Sequence, residues 1–245
     1  MLYLIGLGLN KKSISLEGID AIGKCKKIYL ENYTVNFPYL ISDLEKTIGK
    51  KIEELDRAGV ESDKLVKEAK KEAIALLVYG SPLFATTHET LLLDCRKAKV
   101  KTEVIFNASV FDAIALTGLQ LYKFGKITSM PKWQKNFTPD SFMDIVKENL
   151  GIKAHSLILC DIGLGIVDAL HELGVSAKNK KIKLDKIIVC SQLGTKESKI
   201  YYDTIDAILI KEKNEDEEEI ELPFCIIIPS ELHFMEKEGL ESLNF

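Results

Sequence analysis

Two hydrophobic rhythms alternate along the chain. Short continuous apolar runs, typical of buried strands, are separated by stretches with apolar residues three and four apart, the helical spacing. Strands are predicted over Leu2–Gly8, Lys27–Glu31, Lys51–Leu55, Ala73–Tyr79 and Thr102–Phe106. Helices are predicted over Leu16–Cys25, Leu40–Ile48, Ser62–Lys71, Thr86–Ala98 and Val110–Leu121. Such alternation implies a mostly parallel sheet with helices on both faces, because parallel neighbours need a long crossover, usually a helix. Near Tyr122–Lys126 the pattern restarts. Lys126–Met130, Ser156–Ile162, Lys186–Cys190, Asp206–Lys211 and Phe224–Ile228 then read as extended, with helices over Pro139–Leu150, Ile166–Leu173 and His233–Leu243. The expectation is two α/β domains, 1–124 and 125–245. The second should hold more strands and fewer helices, with antiparallel pairing at its tail. The acidic run Glu212–Glu221 reads as a solvated loop or hairpin tip.

Composition narrows the function classes. The net charge of −4 argues against a protein whose main task is coating nucleic acid, so no direct nucleic-acid binding is expected. Lys11, Lys12, Lys24, Lys26 and Lys27 form a basic cluster in the sequence, read first as solvated surface and second as a place to recruit an acidic partner. No apolar run approaches the roughly 20 residues of a bilayer span, and the apolar start Met1–Gly6 lacks the basic segment of a signal peptide. Five scattered cysteines without a CxxC pair fit free thiols in a reducing compartment, hence a cytoplasmic protein. The four histidines lack metal-ligand spacing, and no metal is expected.

Four glycine- or hydroxyl-rich turns at strand ends carry the candidate chemistry. Gly6-Leu7-Gly8-Leu9-Asn10-Lys11 begins like the dinucleotide fingerprint but has Lys11 in place of the third glycine. Gly80-Ser81-Pro82-Leu83-Phe84 closes a buried strand and leads into Ala85-Thr86-Thr87-His88. Thr86 or Thr87 could cap the following helix, and His88 could be a polar residue of its first turn. Asn107-Ala108-Ser109-Val110 stands at the next strand-to-helix junction, with Ser109 a natural N-cap. Ser191-Gln192-Leu193-Gly194 repeats the theme in the second half, where a hairpin is the simpler reading. In open α/β sheets, ligands bind beyond the carboxyl ends of the strands.

Five blocks in this order resemble the diphthine synthase family of tetrapyrrole-methylase-like (class III) methyltransferases: LYLIGLGL, IGKKIEELDRAGVE, GSPLFATTH, ALTGLQLYKFGK and IIIPSELH. The resemblance runs along most of the chain. It implies two αβα domains with S-adenosylmethionine in the cleft between them, S-adenosylhomocysteine as product, and a homodimer. It implies methylation of the amine of a modified histidine on translation elongation factor 2, in diphthamide biosynthesis. The cofactor contacts it implies are Leu9, Ser81, Phe84, Ser109, Val110, Cys160, Leu193 and Phe224. Ser81 stands where the family usually has Asp, Gln192 where Arg is common, and Gly163 where Lys follows the Asp-Ile pair. The segment from Gly163 to Lys186 is also shorter than usual.

Methyl transfer from a sulfonium is an in-line displacement, so catalysis can rest largely on holding a neutral amine roughly 3–3.5 Å from the methyl carbon. Asp161 and His233 are candidates for the proton, by position alone, and equally read as structural. Two other functions remain open at this level. One is methylation of a corrinoid or porphyrin precursor, and the other is S-adenosylmethionine binding without turnover.

Overall fold

The computed structural model describes residues 1–84, 86–212 and 219–243. The middle of the acidic run, residues 213–218, lies outside them. The chain divides into two compact units, Met1–Ala113 and Ile114–Phe245.

In the first unit the elements run β1 (Leu2–Gly6), α1 (Leu16–Lys24), β2 (Lys27–Glu31), α2 (Ile41–Ile48), β3 (Glu53–Leu55), α3 (Arg57–Glu61), α4 (Lys64–Ala69), β4 (Ile74–Val78), α5 (Thr86–Lys97), β5 (Thr102–Ile105) and α6 (Val110–Ala113). The sheet is wholly parallel, in the order β3-β2-β4-β1-β5. β1 and β4 are buried at every residue, which explains their unbroken apolar runs. Alternate side chains feed two cores. Leu2, Leu4 and Leu76 pack with Leu65, Leu91 and Cys95 on one face. Tyr3, Ile5 and Leu77 pack with Ala21, Ile22 and Leu44 on the other.

In the second unit the elements run β6 (Thr128–Met130), α7 (Phe142–Gly151), β7 (Ser156–Cys160), α8 (Ile166–Asn179), β8 (Ile187–Ser191), β9 (Lys199–Asp203), α9 (Ile205–Glu212), β10 (Phe224–Ile228) and α10 (Phe234–Ser242). Its sheet, β6-β7-β10-β8-β9, is mixed. β6 and β7 are parallel, whereas β10 is antiparallel to β7 and β8, and β8 to β9. Antiparallel pairing in the tail is as expected; a surplus of strands is not, since each sheet has five among the described residues.

Helix α8, expected to end at Leu173, runs on to Asn179, and four other assignments differ from the sequence reading, each for a local reason. Asp206–Lys211 is helix α9, not a strand. Thr204 starts it, its hydroxyl accepting the Ala207 N–H at 3.2 Å, and only Ile208 of the apolar triplet is fully buried. β9, half-buried at every residue, offers no alternation to detect. The helix expected over Ser62–Lys71 spans only α4, Lys64–Ala69, and the unexpected α3 precedes it; Ser62 separates the two, its hydroxyl donating to the Gly59 carbonyl and accepting the Lys64 N–H. Beyond α6, Ile114–Thr117 tightens to a 3₁₀ turn that Thr117 ends by bonding the Ile114 carbonyl and the Leu119 N–H. No helix among the described residues is long and apolar enough to cross a membrane.

Candidate cofactor site

Three neighbouring strands of the first unit, β4, β1 and β5, end side by side, and the turns leaving them interlock. Gly8 and Gly80 exchange two backbone hydrogen bonds of 3.0 Å each. Gly80 takes φ = +70°, a conformation costly for a residue with a side chain. A Cβ on Gly6 would lie 2.7 Å from the Gly80 carbonyl oxygen and 2.9 Å from Asn107 Cβ, so only glycine lets these turns meet. Asn107 ties the third turn in, its amide donating to the carbonyls of Gly6 at 3.1 Å and Ser13 at 2.9 Å. Ser109 accepts the Phe111 N–H at 3.2 Å, and Asp112 accepts the Ser109 N–H at 2.7 Å, which starts α6. Leu9, Ser81, Phe84, Ser109 and Val110 all lie on this edge. Leu9, Ser81 and Ser109 are buried, and Phe84 is exposed against Phe111 with ring centroids 4.5 Å apart.

Residues behind the edge hold it in shape. Tyr79 Oη donates to the Leu9 carbonyl at 3.0 Å while its ring packs edge-on to Phe37. Burial pushes the Tyr79 phenol above its usual range, so the hydroxyl stays a donor. Leu83 is held at φ = +74°, and its N–H donates to His88 Nδ1 at 3.1 Å. His88 Nδ1 is therefore the acceptor, and Nε2 carries the proton toward buried Glu31, 2.7 Å away. A buried His–Glu pair thus fixes the turn that presents Ser81 and Phe84.

A second row forms in the second unit. Met130 of β6 pairs with Cys160 of β7, and Phe224 of β10 pairs with Ser191 of β8. Because Cys225 pairs with Leu159, Cys160 and Phe224 fall at the same edge, and Leu193 follows just past β8. Gln192 sits there at φ = +48°, with its N–H bonded to the Pro223 carbonyl and its side-chain amide to the Leu222 carbonyl. Burial first, and Cys225 second, hold the Cys160 thiol well above its ordinary value, so it is a neutral wall and not a nucleophile.

Among the described residues, five non-glycine residues have positive φ. Lys99, Lys153 and Lys181 end α5, α7 and α8, the ordinary left-handed stop of a helix. The other two, Leu83 and Gln192, lie on the two edges just described, where backbone strain is commonly kept for function.

Asp161 and His233 have structural partners. Asp161 accepts backbone N–H groups of Lys132 and Ile162. His233 caps α10, accepting the Met235 N–H. The basic cluster of the sequence separates in space. Lys11 precedes α1 and pairs with Asp43, whereas Lys24 ends α1 and, with Lys26, Lys27, Lys50 and Lys51, lines a groove of about 610 Å³.

Two sequence blocks far apart in the chain meet at buried Glu236. Its carboxylate accepts from Lys123 Nζ at 2.5 Å, the Gln120 N–H at 3.0 Å and the His233 N–H at 2.8 Å, with His155 Nε2 at 3.2 Å. Residues of TGLQLYKFG and of PSELH are thus joined by one carboxylate.

A family model for tetrapyrrole (corrin/porphyrin) methylases matches residues 1–209. A diphthine synthase of Methanococcus maripaludis is 35% identical, over 99% of this chain and 98% of its own. This chain belongs to the tetrapyrrole methylases, with the diphthine synthases. A diphthine methyl ester synthase of Schizosaccharomyces pombe is 44% identical over 66% of this chain, a match spanning 58% of its own length. A solved diphthine synthase superposes with a TM-score of 0.88 at 29% identity, over 99% of this chain and 95% of that one.

The chain is therefore an S-adenosylmethionine-dependent methyltransferase, and its edges suit that cofactor. The first-unit edge offers close backbone approach at Gly6 and Gly80, neutral hydroxyls at Ser81 and Ser109, and an aromatic face at Phe84. The phosphate-cradling mode does not fit the Gly6–Lys11 turn. Helix α1 begins only at Leu16, and Ser15 already caps it by accepting the Gly18 N–H.

Proposed function

We propose that this chain methylates the amine of the modified histidine of translation elongation factor 2, in diphthamide biosynthesis, as a cytoplasmic homodimer. The observation that carries the reading is the gathering of the eight residues implied by the resemblance into two rows at strand ends. Leu9, Ser81, Phe84, Ser109 and Val110 form the first row, and Cys160, Leu193 and Phe224 the second. Its support from relatives is the diphthine synthase of Methanococcus maripaludis, matched over nearly its full length.

The cofactor supplies an electrophilic methyl group on a sulfur that departs as a neutral thioether. No negative charge builds up on the leaving group, so the protein needs no acid to assist departure. Its own residues position: the glycine turns admit close backbone contact, Ser81 and Ser109 offer hydrogen bonds, and Phe84 offers a flat apolar surface. The attacking amine must be neutral, and desolvation by the apolar rows disfavours the ammonium form. The displaced proton can pass to water.

The test is mass spectrometry of elongation factor 2 bearing the modified histidine, incubated with S-adenosylmethionine with and without this chain. The reading expects methyl-group mass increments on that residue only when the chain is present. Cofactor binding with no increment would leave an S-adenosylmethionine-binding protein in its place.

A further inference from the structure

Immediately after Met130 the chain makes a small closed turn. Gln134 and Phe137 exchange two backbone hydrogen bonds of 2.9 Å, leaving Lys135 and Asn136 at the tip. The base is unusually well fastened for a surface loop. The Lys132 N–H reaches Asp161 Oδ2 at 3.3 Å, and Lys132 Nζ reaches the Gly163 carbonyl at 2.9 Å. Trp133 Nε1–H donates to the Pro139 carbonyl at 3.1 Å. The Trp133 N–H donates to Glu172 Oε1 at 3.0 Å.

Glu172 is the informative partner. It lies in α8 at 4% exposure, and burial raises its pKa. Its second oxygen has no hydrogen-bond partner among the described residues. A buried carboxylate with one free oxygen is destabilising. A core built only for stability would place an apolar residue there. Yet the one bond it makes holds the turn. The turn in turn displays an apolar ring to solvent: Phe137 is 57% exposed. Ile162 and Val167, also exposed, lie on the segment to which Lys132 is tied and on the helix of Glu172. Lys135 at the tip has no ion-pair partner among the described residues. The turn leaves the sheet beside Met130, whose strand partner is Cys160 of the second row.

A large substrate that delivers one side chain to a cofactor must rest on the protein beside it. Resting on the functional reading above, we infer that the turn 133–137 is a docking element for the protein substrate. Phe137 and Lys135 contact an apolar and acidic patch of elongation factor 2, and Glu172 is the positioning residue that holds the turn in place.

The test uses the full chain and elongation factor 2 bearing the modified histidine, with methyl transfer followed at varied substrate concentration. The double variant Phe137→Ala/Lys135→Glu alters only exposed side chains, so folding is not at stake. Its KM for elongation factor 2 should rise roughly tenfold, as expected for loss of an interface anchor, with little change in kcat or in S-adenosylhomocysteine affinity. Glu172→Ala should raise the same KM, and Glu172→Gln, which keeps an acceptor for the Trp133 N–H, should restore it. An unchanged KM in the double variant, with the wild type active, would overturn the docking role. A KM equally raised in Glu172→Ala and Glu172→Gln would overturn the positioning role. No methylation by the wild type would overturn the functional reading, and the proposal with it.

Discussion

At Gly6 the missing side chain is a requirement of the site. A Cβ there would sit 2.7 Å from a backbone oxygen of Gly80, which has no flexible end to swing away. Gly6→Ala should therefore force the β1 and β4 turns apart and cost about 1–3 kcal/mol, the usual range for overpacking. Calorimetric titration with S-adenosylhomocysteine should show weaker binding in the same variant. Wild-type affinity at wild-type thermal stability would mean that the interlocked turns are not needed for the cofactor. Ser81 differs from Gly6 in kind. It stands where the resemblance implies Asp, so position 81 offers a hydroxyl, and a carboxylate reaches this edge from Asp112, which accepts from the Ser109 N–H and hydroxyl.

Elements were legible in the sequence wherever one face or both faces are buried. β2 and β10 have the residue limits expected: β10 is apolar throughout, and in β2 the apolar Ile28-Tyr29-Leu30 is bracketed by the charged Lys27 and Glu31. β9 and α9 were not legible, since neither carries the period of its own structure. At the site, the glycine turns announced themselves by composition, and the Ser109 cap by position. Asn107, Tyr79, Glu31 and Glu172 did not. Each acts through a partner at least 39 positions away, such as Tyr79 on Leu9 or Glu31 on His88, and one sequence gives no sign of such pairings.

The joint between the 117–126 segment and α10 adds a pH dependence at this scale. Burial alone would raise the Glu236 pKa, but Lys123, two backbone N–H groups and His155 hold it down to about 2. Burial lowers the His155 pKa below 6.5, outweighing the attraction of Glu236. Both groups bind fewer protons folded than unfolded. Their contributions are complete above the unfolded values, 6.5 for His155 and 4.5 for Glu236, and are lost as pH falls through the folded ones. Thermal melts should thus show stability falling from about pH 6.5 downward, and again more steeply below about 4.5. His155→Gln, able to donate and accept as His155 does, should flatten the first of these windows. A variant with the same slope there as the wild type would remove His155 as its cause.

For the whole molecule, the functional reading includes self-association. Leu116 and Leu121, exposed on the turns after α6, are candidates for part of the contact. Light scattering at micromolar concentration should report twice the 27.5 kDa chain mass, and a single-chain mass would contradict a dimer. The division of labour between the units is the larger point. Each carries one row of expected cofactor residues at a sheet edge, and each row holds one strained non-glycine residue, Leu83 or Gln192. The most direct test is a crystal structure of the chain soaked with S-adenosylhomocysteine. The account predicts ligand density touching Leu9, Ser81, Phe84, Ser109 and Val110 together with Cys160, Leu193 and Phe224. Density elsewhere, or a ligand cradled by the Gly6–Lys11 turn at a helix start, would contradict it.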